Sequence, residues 1–297
     1  MALNLLNLSI LFVLLNIINP FPFAEPRTLE ASTTPFSKTL QNLRGVHRGQ
    51  NAKGVGELRG YLQKYGYLTK GSSSNDNFDE NVESALKHYQ AFHHLRDTGV
   101  VDDDTIKKMS LPRCGMPDII TNPNPNPNGL VGAPENYTFF PGSPKWSKFF
   151  LTYRRTSGAT VSINETAVRR AMRDAFQSWA NVSPFTFNET TDRSADITYG
   201  FHRGLHLDLY PFDGPGRVLA HAFAPEDGRI HFDADELWRS NGSDIDFQTV
   251  GLHELGHSLG LGHSNDTDAV MQPNYDGQRR SLSQDDIDGI QALYGQN

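Results

Sequence analysis

The segment HELGHSLGLGH, residues 253–263, concentrates the residue types that do metal chemistry. On a helix, His253 and His257 stand four apart, about one turn, so two imidazoles aim at one point from the same face. Gly260 and Gly262 end that helix and turn the chain, which brings His263 back as a third ligand. Three neutral imidazoles leave one tetrahedral position of zinc open, the arrangement of a catalytic site and not of a closed structural one. Glu254, beside the first histidine, is placed to lean towards a water in that position. Histidines exposed on a helix face are the bland alternative, and the third histidine with its glycines argues against it. Met271, eight residues beyond His263 in AVMQPNY, reads as a support beneath the site or as ordinary core. No G-x-S-x-G nucleophile motif is present.

The chain has one cysteine, Cys114 in LPRCGMPD, so no internal disulfide can form. Its proline, arginine and glycine neighbours do not suit a buried inert thiol. A metal ligand or an intermolecular disulfide remains. A third group of chemistry-bearing residues lies between 206 and 236, where histidines and acids recur at spacings that a core does not need.

The elements that must hold these residues fall into two sets. In the N-terminal set, Val55, Leu58, Leu62 and Tyr65, then Val82, Leu86, Tyr89 and Phe92, mark two amphipathic helices within a small helical unit over 36–112. His88, His93 and His94 there read as surface histidines, and VVDDDT as a solvated turn or helix start. TNPNPNPNG, residues 121–129, cannot be helix or central strand and reads as an extended connector.

Beyond it, KFFLTYR, ADITYGF, RVLAHAF and RIHFD read as strands. Between the first two, Val168, Ala171, Met172, Ala175, Phe176 and Trp179 form a helical core stripe, with Ser162 and Glu165 as a capping box. Ile287, Ile290 and Leu293 mark a closing helix. Mixed α and β architecture follows.

The apolar run Leu5–Ile18 that stops at prolines reads as a signal-peptide core, with an uncleaved anchor as the alternative. Sequons at Asn136, Asn164, Asn188, Asn241 and Asn265 agree with export. A formal charge of -7 without a basic block excludes a nucleic-acid surface.

With PRCGMPD, HELGHSLGLGH and Met271 in place, the chain from about residue 36 to its end resembles the matrix metalloproteinases, the matrixins among the metzincin proteases. The likeness is to the short plant-like kind without a hemopexin domain. It implies an α+β fold: a catalytic domain with a mixed twisted sheet and three helices, after a small all-α prodomain like peptidoglycan-binding domains. The implied divisions are signal peptide 1–24, propeptide 25–135 and catalytic domain 136–297.

It further implies a secreted zinc endopeptidase made as a latent, monomeric zymogen. Its substrates would be extracellular proteins or peptides, its inhibitor its own propeptide, and Glu254 its general base. Cys114 would fill the open zinc position until the propeptide is removed, with Arg113 and Asp118 pairing beside it at a surface where such a pair adds little. His206, Asp208, His221 and His231 would hold a structural zinc, with His202 outside the set. Asp213, Asp233 and Glu236, with carbonyls of Gly214, Gly216 and Val218, would hold calcium. The short APEDGRIHFD loop departs from the family where a second calcium binds, leaving Asp196 as a remnant ligand. Thr249, Pro273 and Tyr275 would shape the pocket for the residue after the cut, open to large apolar side chains. A catalytically silent wall- or peptide-binding module is the alternative, against which Glu254 speaks.

Overall fold

The computed structural model describes residues 34–69, 75–120, 136–156, 158–240 and 244–296, so the signal segment, the Pro/Asn connector and Asn241 lie outside the described residues. Residues 31–297 form one contact unit. Among the described residues no helix is long and apolar enough to cross a membrane.

The N-terminal half is all-helical: α1 (Pro35–Asn42), α2 (Val55–Lys64), α3 (Glu80–Phe92) and α4 (Asp103–Met109). Its core is the foreseen stripe, with Val55, Leu58, Leu62, Tyr65, Val82, Leu86 and Tyr89 buried and Phe92 at its margin. Asp79 caps α3 through Val82 N–H, and Asp102 caps α4 through Thr105 N–H, so VVDDDT is a helix start. The surface reading fails for His93: it is 8 % exposed, packed on Tyr89, because the helix ends one residue earlier and turns the ring inward. His88 and His94 are exposed.

The second half is a twisted mixed sheet under three helices. Its strands are β2 (Phe150–Arg155), β3 (Thr186–Glu189), β4 (Ile197–His202), β5 (Val218–Ala222) and β6 (Arg229–Asp233). They lie in the order β5-β6-β4-β2-β3, with only β5 antiparallel to its neighbour β6. A two-residue strand of the N-terminal segment, β1 (Arg113–Cys114), pairs parallel to β5 and closes that edge.

The helix α5 (Glu165–Ala180) lays its whole apolar stripe on the core, and Trp179 Nε1–H donates to the Leu252 carbonyl of α6 (Phe247–Ser258) at 3.0 Å. Its expected capping box is not formed. Asn164 is the cap, accepting from Ala167 N–H at 2.8 Å, while Ser162 Oγ–H donates to the Trp238 carbonyl. The Asn carboxamide one residue before the first turn competes better for that donor than a hydroxyl two residues further out. The closing helix α7 (Gln284–Tyr294) buries Ile290 and Leu293 as expected, but Asp286 is buried where Ile287 is only half-buried.

Candidate metal centre and active site

From Val250 to His257 every residue of α6 is buried, so its histidines face protein, not solvent. The helix ends in paired reverse hydrogen bonds, Gly260 N–H to His257 O at 2.9 Å and Leu261 N–H to Gly256 O at 3.1 Å. Gly260 takes φ +107°, a left-handed conformation that only glycine adopts cheaply. The chain therefore doubles back and carries His263 to the other two histidines.

Each ring is fixed through Nδ1. His253 donates to Val270 O at 2.7 Å, His257 to Leu261 O at 2.8 Å, and His263 to Asp118 Oδ1 at 2.8 Å. With Nδ1 the donor, Nε2 must carry a lone pair on all three rings. The Nε2 atoms of His253 and His263 are buried with no hydrogen-bond partner, and that of His257 lies 3.4 Å from Cys114 Sγ. The four donor atoms lie within 4.8 Å of one another. Three imidazole nitrogens, two of them without a partner and the third against the thiol, converge with that sulfur in a buried site and fit a tetrahedral zinc ion. Burial lowers all three imidazole pKa values, that of His253 to about 3, which keeps them neutral as ligands must be.

The Glu254 carboxyl is fully buried, neither oxygen has a hydrogen-bond partner, and burial pushes its pKa up to about 8. Beneath the site, a side chain at Gly256 would collide with Met271 Sδ and approach Trp179 Cζ2 to 2.9 Å. The glycine inside HELGH is thus the seat on which Met271 packs. Asp286 holds that turn from α7, accepting from Val270 N–H at 2.9 Å and Met271 N–H at 3.0 Å. No sequence reading singled out Asp286, though DD at a helix start was the available signal.

The N-terminal segment threads between β5 and the strip at 273–275. Arg113 N–H donates to Arg217 O at 2.7 Å and Gly115 N–H to Ala220 O at 2.8 Å on one side. On the other, Cys114 N–H donates to Pro273 O at 2.9 Å and Tyr275 N–H to Pro112 O at 2.8 Å. Cys114 is 5 % exposed, which places it out of reach of a second chain. Burial, with Glu254 beside it, pushes its thiol pKa up.

The expected surface pairing of Arg113 with Asp118 is corrected by its burial, at 2 % and 0 % side-chain exposure. Arg113 also stacks 3.4 Å above the Tyr65 ring and donates to Tyr61 Oη at 3.1 Å. Asp118 accepts from Tyr67 Oη–H at 2.7 Å and stands 3.7 Å from His93. The Arg113 guanidinium helps hold its carboxyl well below the usual range despite the burial.

A small cleft opens beside Cys114 and Glu254 and is lined by Thr249, Pro273, Tyr275, Leu219 and Arg279 among others. Thr249 Oγ1 is committed, donating to Asp246 Oδ2 at 2.7 Å and accepting from Arg279 N–H at 3.0 Å, so it ties the loop behind the cavity to the start of α6.

The second cluster gathers His206, Asp208, His221 and His231 with donor atoms within 4.8 Å. His202 stacks against it without joining it. Asp208 is turned inward between Leu207 and Leu209, both with left-handed φ (69° and 68°) and 97 % and 90 % exposed. Such a backbone persists only where its surroundings enforce it. Asp213, Asp233 and Glu236 do not form a donor cluster of that tightness among the described residues. Instead Val218 N–H donates to Asp213 and Gly216 N–H to Glu236, at 3.1 and 2.7 Å, with Gly214 and Gly216 in left-handed turns. Burial and neighbouring acids raise Asp233 to about 7 and Glu236 to about 8. Asp196 is spent on Lys148 Nζ at 2.7 Å and on Thr152 N–H at 2.8 Å. Of the sequon asparagines, Asn136, Asn164 and Asn188 are exposed, and Asn265 is half-buried with its carbonyl 2.6 Å from His94 Nε2.

Residues 145–295 match the matrixin family model, and residues 51–109 match a peptidoglycan-binding domain model. The chain is 42 % identical to metalloendoproteinase 1 of Glycine max, over 84 % of this chain and 85 % of the relative. It is 39 % identical to metalloendoproteinase 5-MMP of Arabidopsis thaliana, over 88 % and 76 %. Its identity to human matrilysin is 42 %, over 83 % and 89 %.

Proposed function

The chain belongs to the matrixin family of metalloendopeptidases, and from that premise we propose a secreted zinc endopeptidase that its own N-terminal segment keeps latent. The observation that carries the reading is the buried convergence of Cys114 Sγ with the Nε2 atoms of His253, His257 and His263, beside an unpartnered Glu254. His253, His257 and His263 would hold zinc, which would supply Lewis acidity towards a water and a peptide carbonyl. Cys114, as a thiolate, occupies the position that this water needs, and the covalent tether keeps it at high effective concentration.

Once the segment is cut away, Glu254 takes the proton of the attacking water on a carboxylate oxygen and passes it to the leaving amine. The substrate replaces β1 along β5 and adds its backbone to the sheet edge, which restricts cleavage to extended or unfolded segments of extracellular proteins. The residue after the cut enters the cavity lined by Thr249, Pro273 and Tyr275.

His206, Asp208, His221 and His231 hold a second, structural zinc, with no place left for water. Asp213, Asp233 and Glu236, with carbonyls of Gly214, Gly216 and Val218, hold calcium, and a hard cation would relieve the raised acidity of the last two acids. Segment 1–24 is the secretion signal, and the five sequons are acceptors in that pathway.

The test expresses the chain from residue 25 and follows cleavage of quenched peptides. Glu254→Ala should stay roughly 10²-fold or more below the parent after trimming, whereas Cys114→Ser should cleave before any trimming. Cys114→Ser as latent as the parent would remove the switch. A correctly folded, trimmed and zinc-loaded chain that cuts no peptide would leave a silent binding module instead.

A further inference from the structure

Two of the three zinc-facing histidines are oriented by the catalytic half itself, His253 by Val270 O and His257 by Leu261 O. His263 is the exception. Its Nδ1 partner is the Asp118 carboxylate, 2.8 Å away and fully buried, with the Pro117 carbonyl beside it, and both belong to the N-terminal segment. Asp118 is held in place from the same segment by Arg113 and Tyr67. A carboxylate accepting from a ligand histidine fixes its tautomer and makes the other nitrogen a stronger donor, an effect of roughly 10- to 100-fold in metal affinity.

We infer that Asp118 is a positioning residue for the metal, so that the N-terminal segment controls two corners of the site: the sulfur of Cys114 directly, and His263 through its far nitrogen. Departure of the segment then does more than vacate a position. It strips His263 of its charged partner, weakens that ligand and leaves the zinc more electrophilic when the site opens. The trimmed enzyme is correspondingly the weaker zinc holder.

This rests on zinc binding at His253, His257 and His263, and its test separates the two. In the zinc-loaded full chain, selective ¹⁵N-histidine NMR should show three protected Nδ1–H protons, the one of His263 furthest downfield. In Asp118→Asn, which keeps an acceptor oxygen but not the charge, only that signal should move upfield. In the trimmed domain it alone should be lost, while those of His253 and His257 stay. Chelator-driven zinc loss, measured in a Cys114→Ser background so that the sulfur contributes nothing, should be about tenfold faster or more with Asp118→Asn. Unchanged His263 signals and unchanged zinc loss in Asp118→Asn would overturn the inference while leaving the zinc site intact. A chain that takes up no zinc at these histidines would overturn the functional reading itself.

Discussion

Arg113→Ala offers the sharpest perturbation of the proposed latency without touching a metal ligand. The guanidinium is buried against Asp118, stacked on Tyr65 and bonded to Tyr61, so its removal strands a carboxylate that has 0 % side-chain exposure. Breaking one side of a buried pair costs about 3–5 kcal/mol. Asp118 retains Tyr67, His263 and nearby His93, so the lower end applies, about 3 kcal/mol. At about 1.4 kcal/mol per decade, docking of the N-terminal segment weakens by roughly two orders of magnitude. The assay is alkylation of the Cys114 thiol in the untrimmed, zinc-loaded chain, followed by mass spectrometry, with peptide cleavage measured in parallel. Alkylation should accelerate about 100-fold and untrimmed cleavage should appear, by the same weakening of docking. Arg113→Lys, which keeps the charge but not the planar fork, should fall between the two. An Arg113→Ala chain as protected and as latent as the parent, with unchanged circular dichroism, would refute the argument.

Further outcomes follow from the same geometry. Glu254→Ala should lower kcat of the trimmed enzyme by roughly 10²-fold or more with zinc content unchanged, since the carboxylate moves protons and holds no metal; metal analysis beside kinetics checks this. Gly256→Ala drives a methyl into Met271 and Trp179 and should destabilise the catalytic half by about 1–3 kcal/mol, read as a lowered Tm. His93 has its pKa lowered by burial from 6.5 to about 4, so an unfolded N-terminal half binds a proton there that the folded one refuses. Its contribution is fully present above pH 6.5 and is lost as pH falls towards 4, by up to about 3 kcal/mol. Asp118, held well below 3.8, does not titrate in that window. His93→Phe should therefore flatten the loss of stability between pH 7 and 4.5 in urea unfolding, and an undiminished slope would exclude His93 as its source.

The sequence disclosed what local periodicity and spacing encode. The i, i+4 histidines, the glycine turn and the α5 stripe all lie within one element or one short loop, and the structure assembles them as read. What it withheld were contacts between distant segments. His93 looked like one of several surface histidines because nothing local says that the chain turns its ring towards Asp118, 25 residues on. Asp286, at a helix start where charge is ordinary, drew no reading, yet its carboxylate serves Val270 and Met271 across the fold. The Arg113–Asp118 pair was legible as a pair but not as a buried one, because its cover comes from Tyr61, Tyr65 and Tyr67 of a separate helix and turn. Ser162 misled as a cap since the choice between it and Asn164 is decided by the Trp238 carbonyl far along the chain.

The central claim is that one sulfur and three imidazoles share a zinc until the N-terminal segment leaves. X-ray absorption at the zinc edge, taken on the full chain and on the trimmed domain, addresses it directly, provided the second zinc is counted in both. The account predicts a single sulfur neighbour at about 2.3 Å in the full chain, replaced by oxygen after trimming and absent in Cys114→Ser. A full chain whose zinc has only nitrogen and oxygen neighbours would contradict it.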